Sequence, residues 1–290
     1  MNFSSVGKNI KRYLSILLVT TVVLVGFPLS VYAGDPGTDL WTAKVTTKPD
    51  GYQEDDDGDV TISTAEGLAW LSKVVNGLDG VEADSFEGRT VTLAADIDLE
   101  GHLWNPIGRE ASGGDFPFKG TFDGCGYKIT NMKVDVSTNS GSLCAGLFGL
   151  VEAGVEGKGI VKNIIVSGEV KSTGVGNSYT GGIVGRSKGG AVRNSSFVGD
   201  VTAKYVSSNS TSRNNFAGGI LGHSLEGEVS NCCFKGAVTA EGYVQNFAGG
   251  VVGNNTTSEV SDCSFEGDVT AKKIIITLPV ELWEVVIQVK

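Results

Sequence analysis

Apolar and polar residues alternate along three stretches in the second half of the chain. Every second residue from Phe197 to Ala203 is apolar or glycine, and most of the residues between them are polar. A period of two is typical of a β-strand with one buried face. The same alternation returns at positions 234–240 and 265–271, so the pattern predicts three equivalent strands.

These strands belong to a longer repeat of 23 residues. Its copies begin at Gly181, Gly218 and Gly249, and they align without a gap as GGIVGRSKGGAVRNSSFVGDVTA, GGILGHSLEGEVSNCCFKGAVTA and GGVVGNNTTSEVSDCSFEGDVTA. An earlier, looser copy contains Gly149 and Asn163. The residues that recur at fixed offsets are Gly185, Gly222 and Gly253, then Asn194, Asn231 and Asp262, and then Phe197, Phe234 and Phe265.

Identical residues that return once per repeat can stack in parallel strands about 4.8 Å apart. Each coil then hides its apolar face only when neighbouring coils cover it. We therefore predict an all-β fold, a right-handed parallel β-helix (β-solenoid), over residues 118–271, which the family resemblance described below extends to residues 86–271. The Asn column lies where the alternation breaks, which predicts a turn residue bonded to local backbone. The paired glycines mark another corner.

A helical pattern precedes the repeats. Ser63-Thr64-Ala65-Glu66 has the sequence of a capping box, and apolar residues follow it at helical spacing as far as Asn76-Gly77. The stripe consists of Leu68, Leu71, Val74 and Val75, with Trp70 alongside. Because an open solenoid end exposes unpaired strand edges, we expect residues 34–85 to form a strand and helix cap.

The first 33 residues have the pattern of a signal peptide. Lys8, Lys11 and Arg12 precede the apolar run Leu14–Phe27, and we predict cleavage after Ala33. An uncleaved membrane anchor is the alternative. Cleavage would remove three positive charges and no negative charge, which takes the net charge from −10 to −13. Such an acidic protein lacks the basic stripe that nucleic-acid binding needs.

The repeat stops after Ala271, and residues 272–290 contain no glycine. Val285, Ile287 and Val289 are apolar residues at every second position, which indicates a strand-like tail. Two interpretations remain open for it. The tail is either a last capping strand or part of a longer repeat protein that is truncated here.

An acidic segment before the helix was considered as a calcium site. Asp55, Asp57, Asp59 and Glu66 have the spacing of positions 1, 3, 5 and 12 of an EF-hand loop. However, Val60 stands where that loop needs glycine, and no helix is predicted before it. The sequence therefore favours a solvated acidic turn, and we predict no metal site and no cofactor.

Two of the five cysteines, Cys232 and Cys263, hold the same position in adjacent repeats. A disulfide between them is geometrically conceivable in an exported protein. The odd number of cysteines and the absence of a CxxC pair favour free, partly buried thiols.

The two histidines show no catalytic context. His223 aligns with Arg186 and Asn254 in the other copies, and such variation predicts a surface loop. His102 lies outside the aligned repeats. Neither histidine belongs to an HExxH sequence.

The glycine segments that end at Gly149, Gly185, Gly222 and Gly253 resemble GLUG motifs. GLUG repeats occur in bacterial surface proteins, in adhesin-like proteins and in the non-catalytic N-terminal region of immunoglobulin A1-cleaving metallopeptidases. The resemblance implies a secreted or cell-surface location and says little about activity, since the motif residues shape the coil.

The sequence leaves three candidate functions. The favoured one is a non-catalytic, adhesin-like module that binds an extracellular glycan or protein ligand and no nucleic acid. The second is a structural stalk or the N-terminal part of a larger surface protein such as a peptidase. The third is a carbohydrate-active β-helix enzyme, for which the chain offers the pairs Asp96 and Asp98 or Asp200 and Asp268 but no accompanying cluster of basic residues.

Overall fold

The computed structural model describes residues 39–155, 157–207, 213–243 and 245–274, together with the backbone of Val31 and Tyr32. Apart from those two residues, the predicted signal peptide and its cleavage site lie outside the described part of the chain. The same holds for residues 275–290 of the predicted C-terminal tail.

Four β-sheets make up the described structure. Sheet 1 contains β8 (Leu143–Ala145), β12 (Ser178–Gly181), β16 (Asn214–Gly218) and β21 (Gln245–Gly249). Sheet 2 contains β9 (Phe148–Glu152), β13 (Val184–Lys188), β17 (Leu221–Leu225) and β22 (Val252–Thr256). Sheet 3 contains β2 (Tyr52–Glu54), β3 (Val60–Ile62), β4 (Thr90–Leu93), β6 (Thr121–Asp123), β10 (Ile160–Lys162), β14 (Ala191–Arg193), β18 (Glu228–Ser230) and β23 (Glu259–Ser261). Sheet 4 contains β1 (Val31–Tyr32), β5 (Ile97–Asp98), β7 (Lys128–Thr138), β11 (Ile165–Gly174), β15 (Ser196–Tyr205), β19 (Cys233–Lys235), β20 (Val238–Gly242), β24 (Ser264–Glu266) and β25 (Val269–Lys273).

From β8 onward the chain visits sheets 1, 2, 3 and 4 in that order, and it does so four times. We call each passage a coil and number the passages 1 to 4. Strands of successive coils pair in parallel, whereas β2 with β3 and β1 with β7 pair antiparallel. The prediction of an all-β, mostly parallel, β-helix-like fold is thereby confirmed.

The pairing places the same repeat position of each coil in one column. Val166, Phe197, Phe234 and Phe265 follow one another across sheet 4. The rings of Phe197 and Phe234 are parallel to within 2°, with centroids 6.2 Å apart. Both rings are buried in a single apolar core that runs through the coils. In the glycine motifs of coils 1 to 3 both following apolar residues are buried, as Ile183 and Val184 show, whereas Val251 and Val252 of coil 4 are half-buried.

The second glycine of each pair makes room for a core ring. A Cβ atom on Gly219 would lie 2.2 Å from Cγ of Phe234, which is far inside van der Waals contact. The two other copies repeat this clash, Gly182 with Phe197 and Gly250 with Phe265. The glycine pair and the phenylalanine therefore belong to one packing arrangement, although 15 residues separate them in each copy.

A second glycine column bends sheet 4. Gly199 was expected on the buried face, and this expectation was wrong, since the residue is half-buried and has φ +144°. A Cβ atom there would lie 1.8 Å from the carbonyl oxygen of Gly168 in the coil before. In coils 3 and 4 the strand is interrupted at this column, at Gly236 and Gly267. The backbone conformation, and not the buried side, explains why glycine recurs here.

The Asn column occupies the turn between sheets 3 and 4. Asn163, Asn194, Asn231 and Asp262 all have left-handed backbone, with φ between 49° and 55°. The side chain of Asn194 donates to Oδ1 of Asn163 (3.1 Å), and that of Asn163 donates to Oδ1 of Asp123 (2.9 Å). The predicted turn is present, but these two amides bond to side chains of the preceding coil, where bonds to local backbone had been expected.

Two helices lie before the repeats, α1 (Trp41–Lys44) and α2 (Ala65–Asn76). Helix α2 was predicted, but its N-cap is Thr64, so the assignment of Ser63-Thr-Ala-Glu66 as a capping box was wrong by one residue. Thr64 Oγ1 accepts a hydrogen bond from the N–H of Gly67 (3.1 Å). The helix ends at Gly77, which has φ +61°. Within the described residues, neither helix has the length and apolar content to cross a membrane.

We expect Gly219→Ala to lower the free energy of unfolding by about 1–3 kcal/mol, because the new methyl group overpacks against Phe234 and against the carbonyl oxygen of Gly250. Thermal or chemical unfolding of the purified protein measures the loss. Gly113→Ala is the matched control, since a Cβ there meets nothing within 4 Å. In a Phe234→Val background the cost of Gly219→Ala should shrink. Equal costs in both backgrounds would contradict the proposed packing.

Candidate binding surface

An aromatic stack runs along the outside of sheet 1. Tyr179, Phe216 and Phe247 hold the same position in β12, β16 and β21. The centroids of Tyr179 and Phe216 are 5.7 Å apart with an interplanar angle of 11°, and those of Phe216 and Phe247 are 5.1 Å apart at 27°. We refer to these three residues as the outer stack.

Neighbouring side chains show that the outer stack faces away from the core. Ser178 and Thr180, on either side of Tyr179, are buried and exchange hydrogen bonds with the buried Ser172 of sheet 4. Since successive residues of a strand point to opposite sides, Tyr179 faces outward. Tyr179 and Phe216 nevertheless stay 6% exposed, while Phe247 at the end of the stack is 38% exposed.

Side chains from sheet 2 pack against the outer stack. Arg186 and His223 are paired in register on β13 and β17, and Asn254 follows on β22. The guanidinium of Arg186 lies 4.5 Å from the ring centroid of Tyr179. The ring of His223 stacks on Tyr179 at 5.5 Å and on Phe216 at 5.2 Å. The prediction that His223 lies in a surface loop was therefore wrong, because its strand position packs it among aromatic rings.

Burial governs the electrostatics of this surface. It lowers the pKa of His223 to about 4, and the nearby positive charge of Arg186 contributes to the shift. Burial also raises the pKa of Tyr179. For Arg186 burial opposes the charged form, but the carboxylate of Glu110 outweighs it and raises the pKa. At neutral pH the surface thus combines a neutral imidazole with a paired guanidinium.

A short hairpin covers one end of the outer stack. Arg109 and Phe116 form an antiparallel bridge, and Glu110 between them pairs with Arg186. Lys188, on the same strand as Arg186, pairs with Asp115 of the hairpin (2.9 Å) and with Glu152 (2.7 Å). The hairpin therefore closes the Tyr179 end and leaves the Phe247 end accessible.

This arrangement can hold a ligand through ring contacts and hydrogen bonds. Phe247 offers a half-exposed ring. Asn254, which follows His223 in sheet 2, offers a half-buried side-chain amide. Three of the four carboxylates that the sequence offered for glycan cleavage, those of Asp96, Asp98 and Asp200, accept hydrogen bonds within the fold. Asp96 accepts from the N–H of Lys128 and Asp200 from that of Ala237, both across coils.

The residues considered for calcium are not brought together as a metal site. Asp55 Oδ1 accepts the N–H groups of Asp57 (3.1 Å) and Asp59 (2.9 Å), and Asp59 accepts the N–H of Thr90. Glu66 lies in the first turn of α2. Across the described segments, no group of three or more His, Cys, Asp or Glu side chains has an arrangement suited to a metal ion.

Four of the five cysteines and the second histidine lie away from the outer stack. All five cysteines carry free thiols in the structure, with Cys232 buried and Cys263 half-buried. Nδ1 of His102 lies 2.5 Å from Oδ1 of Asp39, and its ring meets the edge of Trp41. Cys144 is the exception, because it pairs in register with Tyr179 from the neighbouring strand β8.

The sequence contains a signal for the outer stack that the repeat alignment did not use. An aromatic residue stands two positions before each glycine pair, in Tyr179-Thr-Gly-Gly, Phe216-Ala-Gly-Gly and Phe247-Ala-Gly-Gly. The 23-residue repeats start at the glycines, so this aromatic column lies outside them. Only the pairing of sheets 1 and 2 shows that Arg186 and His223 belong beside it.

The GLUG motif matches the chain at residues 176–202 and 248–270, which confirms the resemblance noted from the glycine segments. None of the curated proteins matches the sequence. A crystal structure of a proposed immunoglobulin A1 protease from Bacteroides ovatus is similar, with a TM-score of 0.50 and 21% identity. The similarity covers 75% of this chain and 69% of that one. At this identity it supports the β-helix-like fold and carries no information about activity.

We expect His223 to make the protein less stable as the pH falls from about 6.5 to 4. The folded pKa is about 4 and the ordinary value is 6.5, so the unfolded chain binds the proton more tightly. The contribution is complete above pH 6.5 and is lost toward pH 4, on the order of 3 kcal/mol. Unfolding curves at several pH values measure it.

His223→Asn, which introduces the residue of the next coil, should remove this part of the pH dependence. His102→Asn leaves the outer stack intact and should retain it. An unchanged pH profile in His223→Asn would show that other groups cause the loss.

Proposed function

We propose that this chain is a non-catalytic module of an exported bacterial protein, displayed at the cell surface or secreted, which binds an extracellular glycan or protein. In this proposal the coils wind as a right-handed parallel β-helix, the usual hand of parallel crossover connections. The GLUG motifs and the similarity to a solved structure described as a proposed immunoglobulin A1 protease support the extracellular setting.

One observation supports binding above all others. The outer stack lies on the outside of the coils, so it is not needed to fill the core, yet an aromatic residue returns at this position in three successive coils. Aromatic side chains provide much of the contact energy at recognition surfaces. The half-exposed ring of Phe247 is the part of the stack that a ligand can reach.

A structural stalk is the second candidate, and the last described coil favours it. Phe265, Val260 and Val269 are 47%, 42% and 39% exposed, although their equivalents in the preceding coils are buried. In the preceding coils, the next coil covers these positions. A stalk of further coils, or a larger protein such as a peptidase, would cover them.

Binding is tested by probing the full chain on an array of glycans and extracellular matrix proteins. We expect a positive signal that Phe247→Ala reduces at least about tenfold, because the exposed ring is lost. Tyr127→Ala is the matched control, since Tyr127 is 37% exposed and lies elsewhere, next to sheet 4. Equal binding by both variants would exclude the outer stack, and no binding by the parent chain would favour the stalk.

Export is tested separately by N-terminal sequencing of protein recovered from the medium or the cell surface. We expect the mature chain to begin at Gly34, because small residues precede the predicted cleavage point. An intact Met1 terminus on membrane-associated protein would instead support the uncleaved anchor.

A further inference from the structure

Cys232 and Cys263 occupy the same place in two neighbouring coils. Each follows a residue with left-handed backbone, Asn231 or Asp262, at the turn into sheet 4. The N–H of Ser264 donates to the carbonyl oxygen of Cys232 (3.0 Å), so the two turns are joined as neighbouring parallel strands are. Such strands lie about 4.8 Å apart, within the Cα separation of about 4.4–6.8 Å found in disulfides.

The two side chains also point the same way. Sγ of Cys232 lies 3.3 Å from the carbonyl oxygen of Ser230 and 3.6 Å from that of Val192. Sγ of Cys263 has the equivalent contacts one coil later, 3.1 Å to Ser261 and 3.7 Å to Val229. Burial raises the pKa of Cys232 to about 12, and the neighbouring Cys263 thiol adds to the rise. The thiols are therefore stacked on each other.

The other cysteines do not share this arrangement. Cys233 is exposed on the opposite face of the strand, where its Sγ lies 2.7 Å from Oγ of Ser264. Cys125 stands before β7, and Cys144 lies in β8 of sheet 1. Among the described residues, Cys232 and Cys263 are the pair that equivalent positions in adjacent coils bring together.

We propose that Cys232 and Cys263 form a disulfide bond after export and so clamp coil 4 to coil 3. The proposal rests on the extracellular location given above. In the reaction both S–H bonds are lost and one S–S bond forms. Two electrons and two protons pass to a disulfide oxidant of the oxidising compartment, which is reduced to a dithiol.

The position of the bond gives it a structural role. Among the described residues, coil 4 packs against coil 3 on one side. Its core residues are more exposed than those of the other coils. A crosslink between residues 31 positions apart restricts the unfolded state of this part of the chain. Cys263 is the more accessible thiol and meets the oxidant first, while the high pKa of Cys232 makes closure slow at neutral pH and faster in alkali.

The test is alkylation of the full chain, produced in an oxidising compartment, under denaturing conditions without reductant, followed by peptide mapping. We expect a linked peptide that joins Cys232 to Cys263 and three alkylated cysteines, rising to all five after reduction. Five alkylated cysteines without reductant would overturn the proposal. A link between different chains would also overturn it. Neither result bears on ligand binding, so this test and the array test fail independently.

Matched variants identify which cysteines form the disulfide bond. Cys233→Ser differs from Cys232→Ser by one position, and only Cys233→Ser should retain the linked peptide. Cys263→Ser should yield four alkylated cysteines without reductant. Hydrogen exchange supplies a second measurement, because amides of β24 and β25 should exchange more slowly in oxidised than in reduced parent protein. A link retained in Cys232→Ser would assign the bond to Cys233 and contradict the geometry.

Discussion

Parallel backbone hydrogen bonding between successive coils is the constraint on which the rest of this structure depends. The bonds hold the register constant, as between β11 and β15, where ten successive residue pairs match. Each residue therefore stacks on its equivalent in the next coil at a spacing of about 4.8 Å. A side chain at a given repeat position must be compatible with a copy of itself above and below. This requirement explains why the same few residue types recur at each position.

The glycines are the clearest result of this constraint. Gly219 is required because a Cβ atom there would clash with the ring of Phe234, and Gly199 because its φ is positive and a Cβ atom there would clash with Gly168. Each type of glycine avoids a steric clash with a residue of another strand. Neither reason concerns loop flexibility, although the chain contains 42 glycines.

The same register that orders the core also orders the exterior. It places Tyr179, Phe216 and Phe247 in one outer stack and brings Arg186 and His223 against it from a different sheet. Charged pairs also connect neighbouring coils, as Arg193 with Glu228 does through two hydrogen bonds. The outside of the coils is thus a regular array of side chains that does not contribute to the core.

The sequence by itself determined the repeat, the strand periodicity, the helix at Ala65–Asn76 and the parallel stacking, because these follow from local spacing and from copies that can be aligned within one chain. It also identified Cys232 and Cys263 as equivalent positions. Only the tertiary structure decided that His223 is buried among rings, that Gly199 has a special backbone conformation, and that Thr64 caps the helix. His223 varies between copies, so its alignment resembled that of a loop. Its environment arises where two sheets meet, and contacts between sheets leave no periodic pattern within either strand.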